Sequence, residues 1–256
     1  MKTDSTNRFM SPLDLTVTPA VSLAISLAAI LSTLALRHLW HLGLFASFAV
    51  FYLLFFLTTL LALKLIRTLF PIKEGVLFYK RDRLACYIWN LHGFLCITHL
   101  SPQYMNGLIP PPLRKTFYQS LGAKMGKGII SIGGRILDPY LVHIEEMAMI
   151  GDGVLFSPHA VMSNDTLVLG RIQIKRGAMI GANSMIMPGV TVGEHAMVNA
   201  MSLVTMNTQI GAYEIWGGNP AKKIGEIPRP EGQEKTKREE GRGKKEEKEK
   251  ENSYAS

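Results

Sequence analysis

From Ile132 to Ile210 the chain repeats itself every six residues. The column reads Ile132, Asp138, Ile144, Ile150, Phe156, Met162, Val168, Ile174, Ile180, Ile186, Val192, Val198, Val204 and Ile210, and Asp138 alone is not apolar. Four residues after most members sits a small or branched side chain, such as Ala148, Ala178, Ser184, Ala196 or Ser202. A helix has a period of 3.6 and a strand a period of 2, so neither sustains a period of six. A parallel β-helix does, because three hexapeptides close one triangular coil and residues eighteen apart stack. The column side chains then fill the prism, coil upon coil at roughly 4.8 Å. Fourteen column positions predict between four and five coils.

The chain before the repeat is of another kind. Val17 to Leu36 and Leu42 to Leu63 carry no charged residue. At about 1.5 Å per residue, each is long enough as a helix to cross a hydrocarbon core of roughly 30 Å. The short RHLWH between them predicts a helical hairpin, with Pro19 near the first turn of its first helix, where proline is tolerated. Lys64, Arg67, Lys73, Lys80, Arg81 and Arg83 follow the second run, whereas the hairpin loop offers Arg37. The positive-inside rule places that basic flank, and with it the β-helix, in the cytoplasm. The expected location is therefore the inner, cytoplasmic membrane, with two spans. Leu84 to Leu100 is a rival third span, but Asn90, His92, Gly93 and His99 are costly in lipid, so it reads as an amphipathic or partly embedded helix. Cys86 and Cys96, the chain's two cysteines, read as buried free thiols.

The expected organisation is a tail over 1–16, a transmembrane hairpin over 17–66, a connector over 67–128, a β-helix over 129–226 and a charged tail over 227–256. Between Glu226 and Ser256 nine basic residues balance nine acidic ones, with too few apolar side chains to offset ordering. The net charge of +8 therefore lies upstream, where it suits anionic lipid headgroups. Nothing interleaves aromatic and basic residues as a nucleic-acid module does.

The column, the segment IGANSMIMPGVTVGEHAMVNAMSLVT and the terminal WGGNPAKKIG resemble the left-handed β-helix, hexapeptide-repeat acyltransferases, over roughly residues 114 to 226. LGAKMGKG, GGRILDPYLVHI and SPHAVMSNDTLVLGRIQI are similar to the membrane-bound branch of that family and to hexapeptide modules at the ends of some peptide-synthetase chains. The resemblance implies a homotrimer that moves an acyl group, acetyl above all, from coenzyme A (CoA) to a hydroxyl of a sugar or lipid-linked saccharide, without a metal. It implies His159 as general base, in keeping with an imidazole's ability to take a hydroxyl proton near neutral pH. Asp165 is a candidate to orient its ring, a part that a backbone carbonyl often takes in the family, and Asp138 is read as a capping or hydrogen-bonded residue. Ala182, Ala200, Thr205 and Lys222 match the positions that line the CoA groove, with Lys223 beside them, and Met206 stands where relatives often have lysine. Trp216 is expected to cover the open end of the prism.

Two other classes compete. One is a trimeric scaffold without catalysis. The other is the γ-class carbonic anhydrases, which resemble this chain through His159 and His195, thirty-six residues apart and hence predicted in one corner column roughly 10 Å apart. Their third zinc histidine corresponds here to Ala200, and two histidines do not supply the usual three protein ligands of catalytic zinc.

Overall fold

The computed structural model describes residues 12–101, 109–162 and 165–229. The expected charged tail from 230 onward and the first eleven residues of the N-terminal tail lie outside these.

Two long helices open the chain: α1 (Pro12–Trp40) and α2 (Leu44–Leu69), joined by a three-residue turn. Both are long and apolar enough to cross a membrane. They pack along a narrow stripe of mostly small or polar side chains, Thr18, Ile25, Ala29 and Thr33 on α1 and Ser47, Thr59 and Leu63 on α2. Their leucines and phenylalanines face outward, with Leu31, Leu44, Phe45, Phe48 and Leu61 all exposed. Each such side chain gains about 1.5–3 kcal/mol on leaving water, so this exterior calls for an apolar surrounding. Because α1 begins at Pro12, Pro19 falls inside the helix rather than in its first turn. The missing N–H there is a local cost that a proline at the first position would not carry.

Helix α3 (Arg83–His99) leans on both. His99 bonds Ser22 Oγ through Nε2 (2.7 Å) and Thr59 Oγ1 through Nδ1 (3.1 Å), and its ring lies against Phe55. Ser22 and Thr59 sit ten residues from the neighbouring ends of their helices, about 15 Å along each axis. The second half of α3 thus packs against the hairpin. Its costly histidine is not left bare: two hydroxyls satisfy it. Cys86 and Cys96 are buried and free. Arg67, near the end of α2, donates to the Leu121 and Ser120 carbonyls (2.6 and 3.1 Å) beyond and at the end of α4 (Pro111–Ser120), fastening hairpin to coils.

The remainder is the three-sided parallel β-helix that the repeat predicts. One face stacks Lys124–Met125, Val142–Ile144, Ile172–Ile174, Thr191–Val192 and Gln209–Ile210. The second stacks Ser131–Ile132, Met149–Ile150, Met179–Ile180, Met197–Val198 and Glu214–Gly218. The third stacks Arg135–Ile136, Leu155–Phe156, Met185–Ile186 and Leu203–Val204. From Ile174 to Ile210 the inward column matches the sequence reading, and every member is buried.

Below Ile174 the column departs from it at two places. Ile136, not Asp138, is the member that stacks in the inward column, paired with Phe156. Gly133 and Gly134 make the corner before it two residues short; a Cβ on Gly134 would come within 2.5 Å of the Val154 carbonyl oxygen. The next corner is two residues long and holds a 3₁₀ turn, Pro139–Leu141, so the count recovers and the irregularity is invisible to a period of six. The second departure is larger. Ile172 lies beside Val142, thirty residues earlier, while Gln173 and Thr191 stack eighteen apart. The extra twelve residues leave the coil as a β-hairpin, His159–Met162 against Thr166–Leu169, which a further strand, Gly75–Phe78, extends. Twelve is two hexapeptides, so Met162 and Val168 kept the phase without entering the prism; Met162 is exposed. An unbroken period of six from Ile132 to Ile210 therefore does not mean an uninterrupted stack of coils.

Candidate active site

Both irregularities meet at one corner. Asp138 sits in the long corner after Arg135–Ile136, with φ of 43°. Its left-handed backbone turns the carboxylate out of the prism column, yet the side chain remains 6% exposed. His159 begins the inserted hairpin one coil on, a quarter exposed. Its Nδ1 bonds Asp138 Oδ2. The other carboxylate oxygen, Oδ1, accepts from Trp89 Nε1 (3.1 Å) and from Tyr140 Oη (3.2 Å). Trp89 lies on α3 and also meets the His159 ring edge to face, with centroids 5.0 Å apart. Tyr140 in turn packs edge-on against His92 of α3.

The tautomer follows from these contacts. A carboxylate already accepting two donors on Oδ1 takes an N–H from Nδ1 on Oδ2. In the neutral imidazole that leaves Nε2 as the lone-pair nitrogen, able to accept a proton. A carboxylate-oriented imidazole, partly exposed, is a general-base arrangement.

Asp165 does not orient this ring. It lies at the far turn of the hairpin, where its carbonyl accepts from Tyr79 N (3.0 Å) and its carboxylate is 3.9 Å from Lys80. The role belongs to Asp138, which the sequence marked by breaking the apolar column. Trp89 was missed, since nothing in the sequence ties α3 to the first coil.

His195 is not in the corner column of His159. Of the thirty-six residues between them, the hairpin takes twelve, and the rest carry the chain one coil and one further face. His195 therefore lies at another edge, above Gly177, stacked on Tyr213 with centroids 5.2 Å apart. Among the described residues no three His, Cys, Asp or Glu side chains converge as metal ligands would.

The four residues matched to a CoA groove are spread over the prism. Ala182 and Ala200 stack at the edge between the second and third faces, where Met201 N donates to the Ala182 carbonyl (2.8 Å). A Cβ on Gly181 would strike the Ala200 amide, so this edge admits little side chain. Thr205 lies at the next edge, directly after Leu203–Val204, and this is the edge of His159, roughly 10 Å up the stack. Lys222 lies opposite Gly217 in the closing antiparallel hairpin Glu214–Gly218 and Ala221–Glu226, and is exposed. Gly218 N bonds Ser202 Oγ (3.2 Å), tying that hairpin to the alanine edge. Lys223 is not free for a phosphate: it pairs with Glu214 (2.9 Å) and Glu226. Glu214 also accepts from Trp216 Nε1 and Gly211 N (2.8 Å each). The bonds from Lys223, Trp216 and Gly211 lower its pKa to about 2. Trp216 pairs with Val198 and packs against the core at the last coil.

Comparison with known proteins agrees with the fold. The profile described as bacterial transferase hexapeptide (six repeats) matches residues 171–205. A delta-poly-L-ornithine synthetase of Acinetobacter baumannii is 32% identical over 51% of this chain and 10% of its own length. The mitochondrial gamma carbonic anhydrase 2 of Arabidopsis thaliana is 37% identical over 36% of this chain and 34% of its own. A chloramphenicol acetyltransferase of Klebsiella aerogenes is 44% identical over 22% of this chain and 25% of its own. The chain thus spans about a third or less of the length of these relatives.

Proposed function

We propose that the chain is a hexapeptide-repeat acyltransferase, anchored in a membrane, that moves an acyl group, acetyl in the first instance, from CoA to a hydroxyl. The observation that carries this reading is the His159–Asp138 pair, with Nδ1 engaged and Nε2 left basic. Nε2 takes the acceptor's hydroxyl proton as its oxygen attacks the thioester carbonyl. Backbone amides at the coil corners hold the oxyanion. Collapse expels the CoA thiolate, which recovers the proton from the imidazolium.

The spread of the groove residues favours a trimer. In one protomer the edge of His159 and Thr205 is not the edge of Ala182 and Ala200. If the first edge of one protomer faces the second edge of its neighbour, base and pantetheine groove meet, with Lys222 toward the CoA phosphates. The acceptor is read as a sugar or lipid-linked saccharide presented at the membrane, because α3 supplies both a donor to Asp138 and a histidine embedded against the hairpin. On this reading α1 and α2 span the inner membrane with the coils cytoplasmic, where CoA is supplied.

The carbonic anhydrase relative does not carry over. Ala200 stands at the third ligand position, and His159 and His195 lie at different edges. The test is mass spectrometry of membrane lipids and surface glycans with and without the gene. A species lighter by one acyl group in the deletion strain is expected. Identical profiles, together with no CoA binding by the purified protein, would leave a scaffold as the better account.

A further inference from the structure

Where α2 ends, the chain turns out of the helix at Phe70–Ile72 and runs beneath the first turns of α3. Between these segments lies a cavity of about 380 Å³ lined by Phe70, Ile72, Leu77, Leu84, Ala85 and Ile88. The lining is apolar but for Lys73 at its rim, which is exposed and makes no ion pair among the described residues. The neighbouring acid does not neutralise it: Glu74 is held by the Arg171 guanidinium (2.8 Å) and backbone N–H (3.1 Å). Around the mouth, Leu69, Phe70, Val76 and Leu84 are between 47% and 61% exposed, a continuation of the apolar exterior of α2. An isolated exposed leucine needs no explanation, but an apolar cavity with an apolar rim and one uncompensated cation does.

The cavity also adjoins the site. Ile72 and Leu77 pack against the buried cluster of Cys86, Leu141, Leu167 and Leu169, to which Trp89 and Tyr140, the two donors to Asp138, also belong. The cavity lining and the two donors to Asp138 thus pack against one common cluster.

We propose that this cavity takes one hydrocarbon chain of an anionic lipid, with the lipid's phosphate at Lys73. The continuity with α2 selects a lipid over a soluble apolar ligand, and the unpaired lysine selects an anionic head. The inference rests on the reading that α1 and α2 span a bilayer, but not on acyl transfer. A bilayer phospholipid and a lipid-borne acceptor share this chemistry.

The test uses the full chain, extracted from membranes in mild detergent and weighed intact with its bound lipid, then exposed to mixed phosphatidylglycerol and phosphatidylcholine. The wild type retains phosphatidylglycerol in preference to phosphatidylcholine. Ala85→Phe, a change at an exposed helical position that fills the cavity, lowers retention roughly tenfold. Lys73→Glu, a surface change, removes the preference for the anionic head. If the retained species also gains the acyl group in a transfer assay, the source is the acceptor; if it is ordinary phospholipid, the site is a lipid anchorage, and either result supports the cavity. Equal retention by wild type and Ala85→Phe overturns the proposal. Failure of the chain to sediment with membranes removes the spanning reading and this inference together, while leaving acyl transfer by the coils open.

Discussion

At the scale of residues, the site is a short polar relay held in an apolar corner. Asp138 is buried, and each of its oxygens has a partner, so its charge is compensated and its geometry fixed. Asp138→Asn keeps the shape but allows the amide to donate toward Nδ1, which favours the wrong tautomer. It should lower turnover by about 10²–10⁴, the range of general-base loss, with CoA affinity unchanged by titration calorimetry. Were Asp165 the orienter instead, Asp138→Asn would be nearly silent and Asp165→Asn severe. Trp89→Phe keeps the ring against His159 but removes the N–H, which should give a smaller loss in turnover than Asp138→Asn. His159 as the candidate base was legible from chemistry and resemblance. The orienter was half legible: a carboxylate in an apolar column announces a polar commitment, but not its partner. Trp89 was beyond reach, because forty-nine residues separate it from Asp138 and only packing joins them.

At the scale of elements, the informative failure concerns phase. A period of six identifies coils through summed burial, and it held wherever each hexapeptide paid its side chain into the prism. It could not register a shortened corner followed by a lengthened one, or an excursion of two whole hexapeptides. The inserted hairpin carries the proposed base, His159, and its size makes a sharp prediction. Removing residues 159–170 returns Val142 and Ile172 to an eighteen-residue spacing, so the shortened protein should still fold and show an undiminished β signal by circular dichroism, while losing acyl transfer. The closing hairpin makes a second prediction. Because the folded pKa of Glu214 is depressed to about 2 from 4.5, its contribution to stability is fully present above 4.5. It is lost as pH falls from there toward about 2. Amide protection in Gly211–Glu226, relative to intrinsic exchange at each pH, should therefore fall across that window in the wild type, and Glu214→Gln should flatten this dependence. An unchanged pH dependence in Glu214→Gln would place the titration elsewhere.

At the scale of the whole molecule, the long apolar helices and the coils are packed into one unit. Arg67 ties α2 to the segment ahead of the first coil, α3 reaches from the hairpin to Asp138, and the strand Gly75–Phe78 pairs with the very hairpin that begins at His159. The two-part architecture was plain from composition, since charge-free runs and a six-residue period have different physical causes. Their coupling was not, because interfaces between distant segments leave no local pattern. The coils cut free of the membrane segments, residues 114–229, should accordingly still bind CoA but transfer far more slowly than the full chain in membranes. The most direct measurement is transfer of labelled acetyl from acetyl-CoA to extracted membrane lipids and glycans by the full chain and by His159→Ala, with size-exclusion chromatography and CoA binding measured on both. The account predicts that His159→Ala loses about 10²–10⁴ of the rate while assembly and CoA binding are unchanged. Full transfer by His159→Ala would contradict it.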